Sequence, residues 1–144
     1  QFYHGLMLGI ILILRNEYEI TSNGFAGKGR YDLLLKPKNI LDRKEGIIFE
    51  LKILNNSENL SNDKIHEKLE NECEIALKQI EEKEYASTLK NAGVEKVLKI
   101  GIAFFGKEFE VKFERKWLMN KKYHCIFISQ NFKKNTSFMQ KHKY

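Results

Sequence analysis

Apolar and polar positions divide the chain into a short series of elements. Residues 2 to about 15 are almost continuously apolar and predict a buried first helix, in which Gly5 and Gly9 allow close packing at ~1 kcal/mol each against Ala. Residues 17–22 alternate as a strand does. Asn23-Gly24 and Gly27-Lys28-Gly29 predict a turn with a flexible loop. A second strand is predicted over 30–36, closed by Pro37, the only proline. A third covers 46–53 around Ile47-Ile48-Phe49, and the Asn- and Ser-rich stretch 54–62 reads as a loop. Ile65, Leu69, Cys73, Ala76, Leu77 and Ile80 recur at intervals of three and four and predict a long helix over about 63–92, stopped by Gly93. Val94 to Phe105 contains a buried strand. Gly106-Lys107 then turns into a last strand, Glu108 to Phe113, in which Phe109, Val111 and Phe113 alternate.

The order is helix, three strands, helix, two strands. A hairpin set followed by a helical crossover predicts an α/β sandwich around a mixed sheet. A length of 144 residues suits one domain, and no internal repeat is visible. With 42% hydrophobic and 31% charged residues, the chain is expected to fold as a soluble globule.

The apolar run Gly5 to Leu14 is about half of the ~20 residues a bilayer span requires, so no membrane partner is expected. Gln1-Phe2-Tyr3-His4 is not a natural initiator sequence, so the chain is expected to be a piece of a longer or processed protein. Cys73 and Cys125 lack CxxC or His neighbours at metal spacing and read as free thiols, which suits a cytoplasmic location.

The formal charge of +6 is unevenly distributed. Residues 115–144 hold eight Lys or Arg and no acidic residue, leaving 17 basic and 19 acidic residues in 1–114. The expected organisation is a domain at 1–114 and a basic tail at 115–144, either a nucleic-acid contact or an altered terminus.

The informative chemistry is Asp32 followed by Glu50-Leu51-Lys52. Side chains two apart on a strand share a face, so Glu50 and Lys52 are neighbours with Leu51 behind them. If the two strands pair, Asp32 approaches from next door. Converging carboxylates repel unless a proton or cation intervenes, and a hard divalent ion such as Mg²⁺ satisfies them. An adjacent amine adds positive charge for a phosphoryl centre, so phosphodiester hydrolysis is the reaction class that fits. The triplet alone also suits an ordinary Glu50–Lys52 ion pair. No GK[ST] phosphate loop and no Ser/His/Asp or Cys/His arrangement is recognisable.

Gly27-Lys28-Gly29-Arg30-Tyr31-Asp32-Leu33-Leu34-Leu35, followed by Ile47-Ile48-Phe49-Glu50-Leu51-Lys52, resembles the PD-(D/E)XK nuclease superfamily. The nearest likeness is to the prokaryotic branch found C-terminal to an AAA-type ATPase-like domain. Phe2-Tyr3-His4-Gly5 and Gly101-Ile102-Ala103-Phe104 share it, and it covers residues 2 to about 114. The resemblance implies a restriction-endonuclease-like αβββαβ core with a mixed central sheet flanked by helices. It implies metal-dependent hydrolysis of nucleic acid, with DNA the expected substrate and Mg²⁺ or Mn²⁺ the cofactor. By position, Asp32, Glu50 and the Leu51 backbone carbonyl would be metal ligands and Lys52 the catalytic lysine. An ATPase-like domain is an expected partner on the same full-length chain.

His4 is a further candidate ligand by the same likeness, or a packed or capping residue; Glu17 and Glu19 are weaker substitutes. Gln79 and Tyr85 resemble a Gln-plus-Tyr helix motif at altered spacing and would orient Lys52 or support substrate, or else belong to a solvated face. Arg30 would contact a phosphate or pair with a carboxylate. Gly24-Phe25-Ala26 stands where the family usually carries charge, which leaves substrate contacts by this hairpin open. The competing function is a catalytically inactive interaction or regulatory module on the same fold. The oligomeric state stays open.

Overall fold

Alternating apolar residues pair into strands wherever both faces can be covered, and two helices supply the cover. In the computed structural model, the described residues are 2–55 and 60–119, with the backbone of a strand at 126–128. Helix α1 (Phe2–Ile11) runs into a 3₁₀ turn at Leu12–Leu14 and then β1 (Tyr18–Ser22). A small hairpin, β2 (Phe25–Ala26) and β3 (Gly29–Arg30), precedes β4 (Leu33–Pro37) and β5 (Gly46–Ile53). Helices α2 (Asn62–Glu82) and α3 (Ser87–Asn91) lead to β6 (Lys96–Phe105), β7 (Glu108–Trp117) and β8 (Ile126–Ile128).

The main sheet has six strands in the order β1-β4-β5-β6-β7-β8. Only β5 and β6 pair in parallel; the other neighbours are antiparallel. A parallel pair needs a long crossover, and α2 with α3 provides it. This is the mixed α/β architecture expected of a restriction-endonuclease-like fold.

The alternation separates two cores. Leu34, Ile48 and Val97 face α2 and pack with Leu77, Ile80, Tyr85 and Leu89. Leu33, Leu35, Phe49, Ile102 and Phe104 face the other way, toward Tyr3, Met7 and Leu8 of α1. All six apolar positions that predicted the long helix are buried on α2. A Cβ at Gly101 would sit 2.5 Å from Cys73 O, so this glycine lets the α2 backbone press onto β6.

Several expectations are corrected. Helix α1 and the 3₁₀ turn after it are covered on one side only: Ile11 is buried, while Phe2, Leu6 and Ile10 of the helix and Ile13 of the turn are exposed, Ile13 at 78%. The predicted second strand is interrupted, because β1 and β4 stop pairing at Ser22 and Leu33 and the chain bends at Asp32. The glycine loop is docked rather than flexible. Gly27 (φ 56) leaves a Cβ only 2.3 Å from Lys83 O, and Lys28 N donates to that carbonyl at 2.7 Å. The long helix ends at Glu82, ten residues early, before the separate α3. Strand β7 passes the predicted end at Phe113 and reaches Trp117. Most of the basic tail, including Cys125, lies outside the described residues.

Candidate active site

Three short segments converge on the α2 face of the sheet. Strand β5 alternates Ile48, Glu50 and Lys52 toward α2, while Leu51 packs on the α1 side. The bend before β4 brings Asp32 alongside, where its Oδ2 accepts the Leu51 backbone N–H at 2.7 Å. From above, Gln79 of α2 is the link: its Oε1 accepts from Lys52 Nζ at 2.5 Å and its amide donates to Glu50 Oε1. Lys52 Nζ also donates to Glu50 Oε1 at 3.3 Å. The sequence-derived trio of Asp32, Glu50 and Lys52 therefore meets at one place.

The electrostatics of this group are unbalanced. Glu50 is 4% exposed. Burial, and then the Asp32 carboxylate, push its pKa up to about 7, against the opposing pull of Lys52 and Gln79. Its second oxygen, Oε2, is the one buried side-chain oxygen or nitrogen without a hydrogen-bond partner among the described residues. A buried acceptor with no donor is costly unless something else satisfies it. Hard carboxylate oxygens, one of them orphaned and both repelling, fit a hard divalent cation. The protein side chains offered are two: among the described residues no group of three His, Cys, Asp or Glu is gathered as a metal cluster. Two carboxylates suit a hard divalent ion that keeps most of its waters better than a cage-forming metal.

The other candidates fall around this centre. Tyr85 OH accepts from the Gln79 amide at 3.1 Å and donates to Arg30 O at 2.7 Å, tying the hairpin to the site. Burial raises the Tyr85 pKa, so the phenol stays a donor. The Arg30 guanidinium points elsewhere, donating through Nε to Asn23 O at 2.9 Å. Glu17 and Glu19 pair with Lys44 and Lys36 on β1 and its approach, apart from the carboxylates. His4 is not brought to Glu50. Its Nε2 lies 3.0 Å from Ser22 Oγ and 3.3 Å from Asn23 Nδ2, on the α1 side of the sheet. Ligation by His4 would require Nε2 to leave those partners.

Two features escape sequence reasoning. Phe25 projects into solvent from the hairpin, and Lys99 is buried on the same sheet face as Glu50. An alternating strand pattern marks which way Lys99 points, but not that two carboxylates await it.

No helix among the described residues is long and apolar enough to cross a membrane. No curated protein and no solved structure matches the chain. The profile of the PD-(D/E)XK nuclease superfamily, in contrast, matches residues 1–114, and those residues contain every member of the carboxylate–lysine centre. The chain therefore belongs to the PD-(D/E)XK nuclease superfamily.

Proposed function

We propose that the chain is a divalent-metal-dependent nuclease that hydrolyses phosphodiesters of DNA. The observation that carries this reading is the orphaned, buried Glu50 Oε2 beside a second carboxylate and an amine. Asp32, Glu50 and the Leu51 carbonyl would hold Mg²⁺ or Mn²⁺. When bound, such an ion polarises a phosphoryl oxygen and acidifies a water. The remaining work falls to the chain itself. Lys52, its ammonium steered by Gln79, orients the attacking water and offsets the negative charge that develops on the phosphoryl oxygens. Gln79 fixes Glu50 and Lys52 relative to each other, and Tyr85 fixes Gln79. The water oxygen bonds to phosphorus and passes a proton to a neighbouring water, while the opposite ester oxygen leaves and takes a proton from solvent.

The family resemblance extends the proposal to an ATPase-like domain elsewhere on the full-length chain. A catalytically inactive module is the second reading. It is favoured by one observation: Asp32 already accepts the Leu51 N–H, and Lys52 is already held by Gln79 and Glu50.

The test is cleavage of single- and double-stranded DNA with Mg²⁺, Mn²⁺ or chelator, in the wild type and in Lys52→Ala. The nuclease reading expects cleavage that needs metal and falls at least about a hundredfold in the variant. Metal-dependent cleavage equal in both proteins rejects the catalytic role of Lys52. No cleavage by a folded wild type favours the inactive module.

A further inference from the structure

We propose that the β2–β3 hairpin is a stacking platform that directs the site toward unpaired nucleotides. The inference rests on the nuclease reading, since its ligand is the nucleic acid the site would cleave.

The hairpin spends its alternation in an unusual way. Ala26 is buried against Tyr31 and Tyr85, whereas its neighbour Phe25 is 80% exposed. A phenyl ring left this exposed buries little apolar area against the fold. Its register partner is Arg30, whose guanidinium carbon lies 6.0 Å from the ring centroid. Arg30 is itself fixed by donation to Asn23 O. An aromatic face and a guanidinium side by side are the two groups that stack on bases and neutralise phosphates.

The hairpin is also held rigid and close to the reaction centre. Its tip is locked to the end of α2 through Gly27, the Lys28 N–H and the Lys28–Glu84 ion pair at 2.9 Å. Gly29 presses on the Tyr85 ring, with a Cβ there only 3.2 Å from it. Tyr85 joins Arg30 O to Gln79, and Gln79 joins Glu50 and Lys52. The backbone that carries Phe25 is therefore linked to the catalytic carboxylate through the register pair with Arg30 and the hydrogen bonds of Tyr85 and Gln79.

Charge explains why such a contact would be needed. Residues 1–114 hold slightly more acidic than basic groups, so net charge adds no general attraction for phosphates and local contacts must carry the affinity. Stacking tolerates any base and supplies affinity independent of net charge. A paired base inside a duplex has both faces covered, so Phe25 can stack only on an unpaired one.

The experiment measures fluorescence anisotropy of labelled single strands of about a dozen nucleotides, a length set by typical single-strand site sizes. Chelator is present so that nothing is cleaved, and a single abasic position is moved along the strand. In the wild type, one abasic position should weaken binding by about 5- to 100-fold. Phe25→Ala should weaken the intact strand by a similar factor and abolish the dependence on abasic position. Phe25→Trp should restore both. Because Phe25 is exposed, neither substitution threatens folding. Equal affinity of Phe25→Ala and wild type, an abasic penalty that survives Phe25→Ala, or no single-strand binding by the wild type overturns the proposal. Lys52-dependent cleavage with Phe25-independent binding removes this inference and leaves the nuclease reading. Phe25-dependent binding without metal-dependent cleavage does the reverse.

Discussion

Two charged residues are buried on the α2 face of adjacent strands, and the fold treats them in opposite ways. Lys99 on β6 and Glu50 on β5 are each 4% exposed. Lys99 is answered fully: Glu114 lies 2.6 Å away and Glu81 3.0 Å away, and Lys116 balances Glu81 in turn. Burial alone would push the Lys99 pKa down, yet these carboxylates hold it above its ordinary value. Glu50 receives one amine on one oxygen, has Asp32 as a repelling neighbour, and keeps Oε2 without a donor. A buried ion inside a closed network is architecture. A buried carboxylate short of positive charge holds a proton more tightly, and is the kind of group that a cation would satisfy.

Substitutions should separate the two roles. Asp32→Ala should reduce metal-dependent cleavage at least about a hundredfold while leaving the cooperative unfolding transition in place. Lys99→Met should do the opposite. It leaves Glu114 and Glu81 without their buried partner, and urea denaturation should find a loss of about 1–3 kcal/mol, below the range for breaking a fully buried pair because both carboxylates keep contact with solvent. Cleavage per folded molecule should persist. If Lys99→Met abolished cleavage in folded protein, the division between structural and functional charge would fail.

Glu50→Gln should stabilise the metal-free protein. The Glu50 pKa lies near 7 in the fold against an ordinary 4.5, so the folded state binds the proton more tightly. The cost of ionising Glu50 is absent below about 4.5, grows as pH rises toward 7, and is complete above it. The shift corresponds to up to about 3 kcal/mol. With chelator at pH 8, the variant should therefore be more stable by roughly 1–3 kcal/mol, and the gap should close near pH 4.5. An equal or lower stability of the variant at pH 8 would mean that Glu50 is not strained. The smallest effect is expected from Gln79→Ala, which frees Lys52 and removes one donor from Glu50. Cleavage should fall about tenfold, the lower end of the scale for one hydrogen bond to a charged group, with little change in substrate affinity.

The parts of the fold legible in the sequence are those fixed by alternation and periodicity. Glu50 and Lys52 share a face with Leu51 behind, and the helix positions from Ile65 to Ile80 are buried as their spacing demands. The two helix ends explain one failure. At α3 the N–H of Val94 returns to Leu89 O with Gly93 (φ 86) at the turn, the usual glycine stop. At α2 the N–H of Tyr85 returns to Ile80 O and that of Glu84 to Glu81 O, the same motif with Glu84 (φ 57) in the glycine position. A glutamate in a left-handed conformation gives no signal in a sequence, so the break that swings Tyr85 onto Gln79 is invisible there. Apolar neighbours place Asp32 inside a strand, but Tyr31 is drawn into the α2-side core and bends the chain at that point. Hydropathy likewise marks α1 as apolar without saying that only one of its faces meets the sheet.

Calorimetric titration of the metal-free protein with Mn²⁺, in the wild type and Glu50→Gln, addresses the Glu50 asymmetry most directly. At pH 6.5 in two buffers of different ionisation heat, the wild type should bind in one saturable step and release protons, because the ion displaces the proton that burial holds on Glu50. Glu50→Gln should lose that step. Absence of binding by folded wild type at millimolar Mn²⁺, or identical titrations of the two proteins, would contradict the account.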